Sequence, residues 1–209
     1  MQGFKTRVLA VACCALLAGS VGVSAQASPA VAAATSNAAA SPFYKASTLP
    51  FEAPDFSKIK DSDFQPSIEE GMKLQMAEVE KIANNPAAPT FDNTIVAMEK
   101  TGAMLNRVMA VFSLLAGADT NPTLQKVQEV EAPKLAAHQD AIYLNPKLFA
   151  RIQKLYDQRA TLKLDPESER LLEYDYQQFV HNGAKLSSAD KAKLKQYNEQ
   201  LSTLSAQFQ

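Results

Sequence analysis

The stretch Asn85-Pro86-Ala87-Ala88-Pro89-Thr90-Phe91-Asp92-Asn93-Thr94-Ile95, NPAAPTFDNTI, sets two prolines, a cap-type threonine and a lone phenylalanine between two long helical patterns. Asn84-Asn85-Pro86 ends the helix before it, because a residue preceding proline is pushed out of the α region, and Pro89 cannot resume the helix. Thr90 can accept from the free amides of the next first turn, formed by Phe91 to Asn93. The expectation is two antiparallel helices joined by a short, stiff loop.

Working outward, Asp63 to Asn84 reads as a helix, with Pro66 in its first turn, Glu69 and Glu70 favouring its positive end, and Ile68, Met72, Met76, Val79 and Ile82/Ala83 at steps of three to four. Downstream, Ile95, Met98, Leu105, Val108, Phe112 and Leu115 mark a buried stripe on one helix in which Gly102 is the weak link. Asn121-Pro122, Asn145-Pro146 and Asp165-Pro166 each place a cap residue before a proline at the first helical position, and apolar spacing follows every time. Pro133 should kink the first of these helices or split it in two.

Gly183 reads as the stop of the helix that begins at Pro166, and Ser187-Ser188-Ala189-Asp190 as a capping box that starts another. Leu194, Tyr197, Leu201, Leu204 and Phe208 then recur in steps of three and four, one apolar seam over four turns that reaches Gln209 without a stop signal. No segment alternates convincingly, and no Asn-Gly or Asp-Gly turn occurs. The fold class expected is therefore all-α, built from antiparallel helical hairpins. Phe43 to Phe64, punctuated by Pro50 and Pro54, should lie extended over their core.

The first residues read differently. Lys5 and Arg7 precede the apolar run Val8 to Ala18, and small residues follow at Val23-Ser24-Ala25 and Ala25-Gln26-Ala27, which is the pattern of a secretory signal peptide cleaved after Ala25 or Ala27. The run is too short for a bilayer span of roughly 20 residues. Cys13 and Cys14 both fall inside it, so the mature chain offers no thiolate and no disulfide framework. The domain reading is 1-25 signal peptide, 26-41 flexible Ala/Ser-rich linker and 42-209 helical domain. The location expected is exported, periplasmic or extracellular, with no membrane anchor after cleavage.

Composition limits the function. A formal charge of -1, with 21% charged residues, gives no field to gather nucleic acid. A zinc peptidase helix needs two histidines at i, i+4 around a glutamate; His138 and His181 stand far apart, each without such a partner. His138 borders an apolar stripe and reads as packed or surface-lying, while His181 suits the negative end of a helix. Glu69-Glu70, Glu129/Glu131 and Glu167/Glu169 are close pairs that do not face one another on a helix, and first-turn placement explains two of them. Met72, Met76, Met98, Met104 and Met109 share stripes with Ile, Val and Leu and read as core filling. No catalytic, cofactor-binding or metal-binding residue is assigned.

Several motifs carry a resemblance. Leu49-Pro50-Phe51 with Pro54-Asp55-Phe56, Ile68-Glu69-Glu70-Gly71-Met72, Pro89 to Ile95 with Glu99, and Ile142-Tyr143-Leu144-Asn145 with Leu148-Phe149-Ala150-Arg151 resemble the N-terminal region of the thimet oligopeptidase family. Phe179, Gly183 to Leu186, Asp190 to Lys195 and Asn198 are similar to its peptidyl-dipeptidase Dcp branch. The resemblance implies a helical region that helps roof a deep channel admitting short, unfolded peptides. It also implies a zinc held by an H-E-x-x-H helix and a further glutamate, and release of dipeptides from peptide C-termini. None of those zinc-binding or catalytic positions has a match in this chain, which is therefore expected to be a segment ending mid-helix before the catalytic part, and to bind no zinc and cleave nothing alone. The rival reading is a stand-alone exported helical protein that binds peptides or partner helices without catalysis.

Overall fold

The computed structural model describes residues 41–208; the expected signal peptide and residues 26–40 of the expected linker lie outside the described residues. Among the described residues seven α-helices follow one another: α1 (Phe64–Ala83), α2 (Ala97–Glu99), α3 (Ala103–Ala118), α4 (Pro122–Tyr143), α5 (Pro146–Asp157), α6 (Pro166–His181) and α7 (Ser188–Phe208). Short 3-10 turns precede α1 and α6, and among the described residues there is no strand. The all-α expectation is met.

The proline joint forms as its sequence requires. Asn93 N–H donates to Thr90 Oγ1 at 3.1 Å and Thr90 N–H donates to Asn93 Oδ1 at 2.8 Å, a reciprocal cap with Asn in the usual Glu position. Arg151 of α5 then fixes the loop, donating to the carbonyls of Asn85 and Ala87 at 2.9 and 3.0 Å and to Asn93 Oδ1 at 2.8 Å. The turn Phe91–Val96 is π-helical rather than α-helical.

All three cap-proline signals work. Asn121 Oδ1 accepts from the amides of Thr123 and Leu124, Asn145 Oδ1 from Lys147 and Leu148, and Asp165 Oδ1 from Glu167 and Ser168, at 2.9–3.1 Å. α6 closes with Ala184 N–H donating to Phe179 O and Gly183 N–H to Val180 O, the paired bonds that end a helix on a left-handed glycine. At the start of α7, Asp190 N–H donates to Ser187 Oγ as expected, but the carboxylate of Asp190 takes the Ser187 hydroxyl rather than its amide.

Three expectations are corrected and one is narrowed. The helix drawn through Gly102 is broken there: Gly102 adopts φ 73°, and its N–H leaves the helical ladder to donate to Glu78 Oε2 of α1 at 2.8 Å. Of the two outcomes expected at Pro133, a kink or a split, the split does not occur, since α4 runs unbroken from Pro122 to Tyr143. Glu69 and Glu70 are not first-turn residues, because α1 begins at Phe64 and its first turn carries no acid. The segment from Phe43 to Phe64 covers the core only at its ends: Phe43 is buried, and Ile59 is partly buried against the core, whereas Leu49, Phe51 and Phe56 face water.

Two apolar clusters result. One joins α1, α4, α5 and α6 through Val79, Ile82, Ile95, Ile142, Leu148, Ile152, Leu155, Leu172 and Phe179. The other joins Phe43 to α1, α3 and α4 through Phe64, Ile68, Leu105, Val108, Phe112, Leu124 and Val127. α1 and α3 approach closely at Gly71, where a Cβ would sit 3.0 Å from the Leu105 Cα. Met72, Met76, Met98 and Met109 pack against these clusters and Met104 is buried, as their spacing predicts.

Candidate functional site

A cleft of about 700 Å³ opens between the two clusters, lined from both. Its apolar wall comes from Met98, Leu105, Met109, Leu135, Ile142 and Phe179, and its polar groups from Gln75 of α1, Glu99 of α2, His138, Gln139 and Tyr143 of α4, and Tyr174, Asp175 and Gln178 of α6. The break at Gly102 makes this possible: α2 ends there, and Glu99 is left at the cleft edge instead of inside a continuous helix.

Polar bonds hold the floor. His138 Nε2–H donates to Gln75 Oε1 at 2.7 Å, and the amide nitrogen of Gln75 reaches Thr101 Oγ1 at 3.5 Å. Because Gln75 offers oxygen to that ring nitrogen, the proton sits on Nε2. Burial pushes the His138 pKa down, which keeps the ring neutral near pH 7. Asp175 behaves in the opposite sense: burial, with a smaller contribution from the Glu99 charge, pushes its carboxyl up to about 7. Burial also raises the Tyr143 hydroxyl, followed by the charge of Asp175. The cleft thus gathers a carboxyl poised near neutrality, a neutral imidazole and two phenols, groups that can exchange protons and hydrogen-bond a polar guest.

The sequence assigned no site residue, and nothing in periodicity alone singles out Asp175. Its partner Glu99 was quoted only as part of a motif, and the two meet because α2 and α6 line the same cleft. His138 is packed beside the cleft as its position on the stripe suggests, and His181 lies exposed in the last turn of α6. Of the carboxylate pairs, Glu167 and Glu169 occupy the first turn of α6. Glu69 and Glu131, drawn from two different pairs, meet on one cation instead: Lys134 Nζ donates to Glu131 Oε1 at 2.8 Å and also to Glu69. Glu131 is fully buried, and desolvation raises its pKa despite that ammonium.

Among the described residues no three His, Cys, Asp or Glu side chains converge as metal ligands. With His138 spent on Gln75 and His181 at a helix end, these residues do not fit the zinc that the resemblance implies.

A second feature is the outer face of α7. Tyr197, Leu201, Leu204 and Phe208 are 65%, 64%, 63% and 94% exposed. The helix leans on α4 by its other side, where Asn198 donates to Asp140 Oδ1 at 2.7 Å.

No family model matches the chain. The dipeptidyl carboxypeptidase of Salmonella typhimurium is 45% identical over 167 residues, which is 80% of this chain and 25% of that protein. The dipeptidyl carboxypeptidase of Escherichia coli K12 is 46% identical over 167 residues, 80% of this chain and 24% of that protein. The chain therefore spans about a quarter of the length of the curated relatives it matches. At that identity over 80% of its length, the chain is consistent with a fragment of the dipeptidyl carboxypeptidase family.

Proposed function

We propose that this chain is a helical channel-roof segment of an exported, zinc-dependent peptidyl-dipeptidase, which removes dipeptides from the carboxyl end of short, unfolded peptides. The bond-breaking groups belong, on this reading, to the part of the family's length that the chain does not span. The observation that carries it is the 45% identity over 167 residues to a dipeptidyl carboxypeptidase. Export rests on the Lys5/Arg7, Val8–Ala18 and Ala25/Ala27 pattern.

This chain's own contribution is positional. Stiff caps, the Arg151 clamp and the aromatic ladder in which the rings of Tyr156 and Tyr176 stack at 3.7 Å hold the proline joint, α5 and α6 as one wall. A rigid wall can exclude folded substrates and keep a short peptide aligned, which is the part of catalysis that proximity supplies. The cleft adds hydrogen-bonding groups on one side of that wall.

A hybrid tests the proposal. Residues 42–209 replace the matching stretch of the Escherichia coli relative, and release of C-terminal dipeptides from a short synthetic peptide is followed by mass spectrometry. The expected result is zinc-dependent release by the hybrid and none by the 209-residue chain alone. A hybrid that melts cooperatively yet releases nothing, or release by the chain alone, overturns it.

A further inference from the structure

We infer that the cleft between the two clusters binds an organic cation, an ammonium or guanidinium group on an alkyl stem, with Asp175 as its anionic anchor and Glu99 as a second carboxylate at the edge. The site stands on the geometry of the cleft. That a basic side chain of a peptide brings the cation rests on the function proposed above, and a free amine is the other source of the same chemistry.

The two carboxylates have no partner within the chain. Asp175 is half-buried, Glu99 is exposed at the cleft edge, and among the described residues neither takes part in a hydrogen bond or an ion pair. No lysine or arginine lines the cleft. The buried acids elsewhere are paired: Glu70 with Lys73, Glu131 with Lys134, and Asp140 with Asn198. At Asp175 the neighbouring charge is instead a like one, since Glu99 adds to burial in disfavouring its carboxylate. A partly desolvated carboxylate beside a like charge, with no counter-ion of its own, is where an incoming cation gains most.

The walls choose the kind of cation. Tyr143, Tyr174 and Phe179 line the cleft, and aromatic rings attract ammonium and guanidinium groups. Met98 and Met109 supply flexible, polarisable surface for an alkyl stem. The volume of about 700 Å³ falls within the ~300–1,000 Å³ of small-molecule sites. A hard divalent ion asks for about six oxygen ligands, and among the described residues no third His, Cys, Asp or Glu joins these two. An anionic guest would meet two carboxylates and no cation.

Titration calorimetry on the 209-residue chain tests this with three probes. One is an alanine pentapeptide with lysine at its centre, acetylated and amidated; the second has norleucine there instead; the third is n-butylammonium. The lysine peptide should bind at least about tenfold more tightly than its uncharged counterpart, and D175N should weaken it by at least about tenfold. At pH 6, binding should release a proton from Asp175, because a cation favours the carboxylate. D175N should release none, although Glu99, His138, Tyr143 and Tyr174, the other titratable groups of the cleft, are unchanged in it. A thermal melt of D175N run alongside separates lost binding from lost folding. Binding of butylammonium makes a free amine sufficient, and binding of the lysine peptide without it makes a peptide the source; either result supports the site. Equal affinity for the lysine and norleucine peptides, parental affinity in D175N, or displacement of the lysine peptide by equimolar magnesium or calcium overturns it. Dipeptide release by the hybrid is not read here, so the cation site can fail while the proposed function stands.

Discussion

At the scale of single residues, Asp175 and Arg151 carry the most consequence. Asp175 has its carboxyl pushed up from an ordinary value of 3.8 to about 7, so the folded chain holds a proton there that the unfolded chain releases. Stability from this group is complete below about pH 4 and is lost as pH rises through 7. D175N removes the cost of the charged form: it should nearly match the parent at pH 4 and exceed it at pH 8 by about 1–2 kcal/mol, a figure reduced because the cleft is open to water. Urea melts at the two pH values check this, and equal gains at both would contradict it. Arg151 is buried and donates three hydrogen bonds into the proline joint, so its removal takes that donor from the carbonyls of Asn85 and Ala87, while Asn93 Oδ1 keeps the Thr90 amide. R151A should cost about 3 kcal/mol in chemical denaturation, and R151K should recover little, since an ammonium cannot span the same fork of acceptors. Neither residue announces itself in the sequence. Both matter through partners more than fifty residues away, and periodicity records only which face a residue lies on.

Helices were readable where local chemistry decides them. Asn121, Asn145 and Asp165 before proline gave three starts, and Gly183 gave a stop, because caps and left-handed glycines are settled within a few neighbouring residues. Asn121→Ala should lose about 1 kcal/mol or slightly more, measured by thermal melting, because the same side chain also donates to Asp61 Oδ2 at 2.9 Å. The misread elements are those that tertiary contacts decide. Gly102 passes for a weak helical residue until Glu78 and Gln75 of α1 are seen to engage the break, and Pro133 allows a split that the unbroken α4 does not show. Gly102→Ala combines a positive φ with a Cβ that collides with the Gln75 amide, so it should destabilise by about 2 kcal/mol and disturb the His138–Gln75 bond. A histidine resonance that stays put in that variant would sever the break from the cleft.

For the molecule as a whole, the all-α class followed from the helical spacing and the missing strand signals, and the apolar stripes supplied members of the core without its division into two clusters. The cleft between the clusters did not follow either, since it depends on how six helices lean on one another rather than on any one stripe. The resemblance was legible through motifs that fix a joint and a clamp, which is why a chain to which the sequence assigns no catalytic residue is still similar to a peptidase. The decisive measurement is the intact mass of the protein carrying residues 42–209, isolated from its own cells. A mass several times the 22.7 kDa of this chain, in a preparation that releases C-terminal dipeptides, is the expected result. A protein of 22.7 kDa or less that exists alone would contradict it.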